Sequence, residues 1–218
     1  MRAPAASGPA LIGISTDGTA IAVDVDHAPH ILVCTSTGGG STTILRNLTA
    51  QFLHQGAHAL VLDPTRISHL WAKDLPTVTH RGNVAGIHDA LVGLAAELKR
   101  RTDLDGVPRL MAVFDRVDDT LRHLARYWET FRHEGDPKKS PAISVLEDVL
   151  YEGRQARIHV LYNGQASGGG LSLLFNLQRP RCYSTAGGSA RTCVGASVSS
   201  TIRSGRWTGR FSRQRWPR

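Results

Sequence analysis

No run of apolar residues in this sequence approaches the roughly 18 to 20 needed to cross a bilayer. The first fifteen residues, "MRAPAASGPALIGIS", contain no continuous apolar stretch, so no signal peptide is read and a soluble, cytoplasmic chain is expected. Cysteine is scarce. Cys34, Cys182 and Cys193 are odd in number and form no CxxC pair, which argues against a disulfide framework and against a zinc ribbon. The histidine pairs His27/His30 and His54/His58 have short spacings, but no carboxylate or cysteine cluster accompanies either, so metal ligation is not the reading.

The most telling absence is local. From Ala166 to the end there is no Lys, His, Asp or Glu, yet nine arginines occur there. With nine of the 26 basic residues in that stretch, residues 1–165 hold 17 basic against 18 acidic side chains, so the net charge of +8 belongs to the tail. This shift marks a boundary near Gln165 to Gly170. It divides the chain into a folded domain, 1–165, and a basic Arg/Ser/Gly-rich tail, 166–218, expected to be disordered. Such a tail can gather nucleic-acid phosphates by counterion release. A structureless extension, or a reading-frame slip in a GC-rich gene, would give the same composition.

At 218 residues the chain is long enough for one α/β domain of about 150 to 200 residues with a real core, and too short for two. "ALIGIS" and "AIAVDV" flank Asp17-Gly18 and read as a short β-hairpin. Short apolar runs at Ile31–Thr35, Ala59–Asp63, Leu110–Asp115 and Ile158–Tyr162 read as strands of a buried parallel sheet. Between them, apolar spacings of three and four predict helices at about Thr42 to Gln55, Val84 to Arg101 and Asp118 to Arg132. The second ends in Lys99-Arg100-Arg101, which suits the negative end of its dipole. Alternating strand and helix implies right-handed βαβ units with a ligand site at the carboxyl ends of the strands.

One stretch of this frame carries chemistry. In "ILVCTSTGGGSTTILRNL" an apolar strand meets Gly38, Gly39 and Gly40, then Ser41 and Thr42, then a helix. That is the layout of a phosphate-binding loop, whose glycines let backbone N–H groups approach an anion at a helix N-terminus. Against GxxxxGK[ST], Thr35 replaces the first glycine, Gly40 fits, Ser41 replaces the lysine and Thr42 fits the magnesium-binding hydroxyl. Taken alone, the match is equally that of a Gly-rich turn without a ligand.

"PHILVCTSTGGGSTTILRNL" followed by "ALVLDPTRISHLW", and later "RYWETFRHEGDPKKSPA" and "YEGRQARIHVLYNGQ", resemble the FtsK/SpoIIIE family of bacterial DNA-pumping ATPases, particularly its short plasmid-transfer-like relatives. The resemblance runs from about Leu11 to Gln165. It implies a RecA-like P-loop domain that binds Mg2+ and ATP, assembles into a homo-oligomeric ring and acts on double-stranded DNA. By position it implies that Gly38, Gly39 and Gly40 cradle phosphate beside Ser41, that Thr42 and Asp115 serve Mg2+, with Asp115 as the Walker B acid, and that Gln165 senses the γ-phosphate.

Three departures bear on activity. Ser41 stands where the family has its lysine, and Arg116 where it has the glutamate that polarises water. Losing such electrostatic stabilisation costs about 10²–10³-fold or more in rate, and arginine cannot act as a base. The chain also turns into its tail where relatives continue with further sheet and helices. The expectation is therefore an ATP- and DNA-binding domain impaired in hydrolysis. A pseudo-ATPase or interaction module acting through the tail, and a truncated nonfunctional product, stay open as alternatives.

Overall fold

The computed structural model describes residues 8–35 and 39–164, together with the backbone of a strand at 192–197. A two-stranded antiparallel hairpin, β1 (Ala10–Ile14) and β2 (Ala20–Val23), precedes the sheet. Then come β3 (His30–Thr35), α1 (Ser41–His54), β4 (His58–Leu62), β5 (Val78–Arg81), α2 (Val84–Thr102), β6 (Leu110–Phe114), α3 (Val117–Phe131), α4 (Pro141–Glu152), β7 (Ile158–Asn163) and β8 (Thr192–Ser197). The main sheet has the order β5-β4-β6-β7-β3-β8. Its first five strands are mutually parallel and β8 pairs antiparallel with β3. The expected α/β fold, a mainly parallel sheet flanked by helices and preceded by a hairpin, is the one observed.

The period of two along each strand divides the core. Ile31 and Val33 of β3, Ala59 and Val61 of β4, Met111 and Val113 of β6 and Leu161 of β7 face one layer, where Leu45, Leu48 and Phe52 of α1 cover them. The intervening Leu32, Leu60, Leu62, Ala112, Phe114, Val160 and Tyr162 face the other, against α2, α3 and α4. The hairpin is tied to α1 by hydrogen bonds: Gln51 accepts the Leu11 N–H at 2.7 Å and donates to the Leu11 carbonyl at 2.8 Å.

Two elements go beyond the sequence expectations. β5 is a four-residue edge strand, "VTHR", whose polar composition hides it. α4 begins at a proline in its first turn, where the missing N–H costs nothing, and buries Ala142, Ile143, Val145, Leu146, Val149 and Leu150. In the stretch 166–218, expected to be disordered, the six residues of β8 form a strand; the rest lies outside the described residues. Among the described residues no helix is long and apolar enough to cross a membrane.

Candidate nucleotide site

Parallel strands deliver their carboxyl ends to one rim of the sheet, and the polar residues that end them collect there. β3 leads through the glycine run into α1, whose first two residues are Ser41 and Thr42. β4 is followed by Asp63, β6 by Asp115 and Arg116, and β7 ends in Asn163. Gly40 is the N-cap of α1 at φ 80°, a left-handed conformation that glycine adopts without steric cost. Among the described residues no side chain caps α1 and no acid lies in its first turn, so its orphan N–H groups and positive dipole end keep their attraction for an anion.

The structure joins residues that the sequence could only nominate separately. Thr42 Oγ1 lies 3.2 Å from both Oδ1 and Oδ2 of Asp115, across 73 residues of chain. Asp115 is fully buried. Gly39 and Gly40 lie immediately before Ser41 in the described chain; Gly38 and Gln165 lie outside the described residues.

Two further residues enter the site unannounced. Asn163 donates from Nδ2 to Asp115 Oδ1 at 2.6 Å and to Ser41 Oγ at 3.3 Å, and its Oδ1 accepts the backbone N–H of Arg116. A polar residue closing the apolar strand "IHVLYN" is the signal that could have found it. His69, completely buried, places Nε2 3.6 Å from Asp115 Oδ2. Nothing in the local sequence separates it from the other loop histidines.

His69 is held by Asp63. The carboxylate of Asp63 accepts the backbone N–H groups of Thr65, Arg66 and His69 at 3.2, 3.1 and 3.0 Å, and the Thr65 hydroxyl at 2.5 Å. Burial pushes the Asp63 carboxyl up, but these donors outweigh it and leave it below the usual carboxylate range. Burial drives His69 the other way, below its ordinary value, despite the attraction of Asp115 and Asp63. Its imidazole is therefore neutral at neutral pH.

The Arg116 side chain is engaged by the first turn of α3. The residue is the N-cap of α3 at φ 61°, and its guanidinium is largely exposed, with Nε 2.7 Å from Asp119 Oδ2. Asp119 is also paired with Arg122. Asp119, three residues beyond the position of the missing glutamate, is thus neutralised by two arginines. Among the described residues no group of three or more His, Cys, Asp and Glu could hold a metal ion by itself. Thr42 and Asp115 nonetheless fit one that arrives with phosphate oxygens: a hydroxyl equidistant from two carboxylate oxygens is an all-oxygen donor set suited to Mg2+.

No family model matches the sequence, and no curated protein does. Solved structures match in fold. A structure of the pCW3 conjugation coupling protein TcpA, monomer form with ATPγS, aligns at TM-score 0.61 and 19% identity, over 76% of this chain and 50% of that one. EssC (ATPases 2 and 3) from Geobacillus thermodenitrificans aligns at TM-score 0.60 and 16% identity, over 89% of this chain and 42% of that one. Thermomonospora curvata EccC (ATPases 2 and 3), in complex with a signal sequence peptide, gives TM-score 0.58 and 19% identity, over 79% and 32%. The chain thus spans half or less of each of these proteins and shares the α/β fold of the matched parts.

Proposed function

We propose that this chain is a nucleotide-binding domain of the FtsK/SpoIIIE DNA-translocase type, which binds ATP with Mg2+ and turns it over slowly or not at all. The observation that carries this reading is the contact of Thr42 Oγ1 with both oxygens of Asp115 at the N-terminus of α1. Backbone N–H groups of Gly38, Gly39, Gly40 and Ser41 would receive the phosphates, and Thr42 and Asp115 would hold the cation. When bound, Mg2+ neutralises phosphate charge and polarises the phosphoryl oxygens. Asn163 fixes Asp115 on one side. Gln165, two residues beyond it, would meet the γ-phosphate.

Neither position 41 nor position 116 carries the cation and the base that the resemblance implies for a working site. Ser41 offers a neutral hydroxyl, and Arg116 and Asp119 are spent on each other. Weak hydrolysis follows. Double-stranded DNA as partner, a ring of identical subunits and the division into a domain at 1–165 and a basic tail at 166–218 belong to the same reading. The charge asymmetry favours one variant of it, in which the arginines of 166–218 make the DNA contact.

The full chain titrated with a fluorescent ATP analogue tests the core claim. Saturable binding that requires Mg2+ and is lost in Thr42→Ala, with the circular dichroism spectrum unchanged, is the expected result. A folded chain that binds no nucleotide would remove the reading.

A further inference from the structure

We propose that His69 is a nitrogen donor to the divalent cation held by Thr42 and Asp115, and that it turns the preference of this site from Mg2+ toward Mn2+. The inference rests on the nucleotide-site reading and adds to it a ligand and a cation selectivity.

His69 is completely buried, and among the described residues neither Nδ1 nor Nε2 has a hydrogen-bond partner. A buried imidazole normally satisfies at least one nitrogen, because a bare one has lost its water without a replacement. The separation of 3.6 Å between Nε2 and Asp115 Oδ2 is too long for a hydrogen bond. It does suit two donors to one ion, since atoms each about 2.1 Å from a cation lie at most about 4.2 Å apart.

The ring's place is built. The backbone N–H of His69 donates to Asp63 Oδ2 at 3.0 Å, and Thr65 Oγ1 lies 3.0 Å from Ser68 Oγ. Arg46, one turn along α1 from Thr42, bonds the Ser68 carbonyl and so fastens this loop to the helix that carries the site. Imidazole suits borderline first-row ions, whereas Mg2+ takes oxygen donors, so a His/Asp/Thr set discriminates between them.

Electron paramagnetic resonance of Mn2+ with ATPγS on the full chain provides the test. Nitrogen hyperfine coupling to the metal is expected, and it should change from the 14N to the 15N pattern when histidine alone is 15N-labelled. ATPγS should bind about tenfold or more tightly with Mn2+ than with Mg2+, and in His69→Asn both the coupling and this preference should disappear. The labelled, unsubstituted chain answers the question even if His69→Asn does not fold. Cation-dependent ATPγS binding with no histidine coupling and equal response to the two ions would overturn the assignment of His69 while leaving the nucleotide site intact. No ATPγS binding with either ion would remove both.

Discussion

Asn163 holds Asp115 and the residue after it at once: its Nδ2 lies 2.6 Å from Asp115 Oδ1, and its Oδ1 receives the Arg116 N–H. Arg116 needs that anchor, because a non-glycine residue at φ 61° is intrinsically disfavoured. Asn163→Ala leaves a buried carboxylate oxygen and an N–H short of a partner, and should destabilise the fold by about 1–3 kcal/mol. Urea unfolding at neutral pH measures this. A midpoint equal to that of the parent chain would mean that Asn163 adds nothing to the site's rigidity.

Ser41 invites the opposite experiment. Its side chain is half-buried at the N-terminus of α1 and accepts a hydrogen bond from Asn163 at 3.3 Å. Ser41→Lys should tighten ATPγS binding about tenfold or more by restoring a charge-assisted contact to phosphate. Single-turnover hydrolysis should stay slow, since position 116 still lacks an acid. Unchanged affinity in a folded variant would show that the glycine loop does not present phosphate to residue 41.

Gly153 and Gly93 should respond in opposite directions to alanine. A Cβ at Gly153, the residue that ends α4, would stand 2.3 Å from the Val149 carbonyl oxygen and 2.7 Å from that of Ile158. Both are backbone atoms, one in α4 itself and one in β7, so relief requires the end of α4 to change its own backbone and to shift from β7, at a cost of about 1–3 kcal/mol. Gly93 is exposed within α2 and its Cβ would meet nothing within 4 Å. Gly93→Ala should stabilise by about 0.5–1 kcal/mol. Thermal melts of the two variants check the pair, and equal shifts would refute the close packing at Gly153.

How far the site was legible follows from the range of the interactions. β3, α1, β4, α2, β6, α3 and β7 each announce themselves by local periodicity, because each buries one or two faces of its own sequence. Thr42 and Asp115 were nominated by position in motifs and meet in space. β5 escaped because a four-residue polar edge strand has almost no period to read, and α4 because a charged, proline-bearing stretch precedes it. His69 escaped for a deeper reason. Its burial is created by Asp63 gathering the N–H groups of residues 65, 66 and 69, a tertiary turn that no pattern in "PTRISHLW" foretells.

The opposite rim of the sheet should make the fold acid-sensitive. His30 and His159 lie at the amino ends of β3 and β7: His30 Nδ1 accepts the Val160 N–H at 3.0 Å, and His159 Nδ1 donates to the Pro29 carbonyl at 3.0 Å. Burial pulls His30 from 6.5 down to about 3, assisted by repulsion from His159, and pulls His159 from 6.5 down to about 4 against the bond to Pro29. Both folded-state values lie below the unfolded one, so as the pH drops past about 6.5 the unfolded chain takes up protons that the folded chain refuses. Stability therefore falls with falling pH, by up to about 1.4 kcal/mol per pH unit for each histidine, until the folded values are reached. His69 acts in the same direction. Asp63 and Glu97, both held low, lose their contribution only in the carboxylate range, so the interval from about pH 6.5 to 5 isolates the histidines. Urea midpoints across that interval should decline steeply, and less so in His159→Gln, whose amide can still donate to Pro29. A midpoint independent of pH there would mean that the two rings are hydrated and titrate as freely as in the unfolded chain.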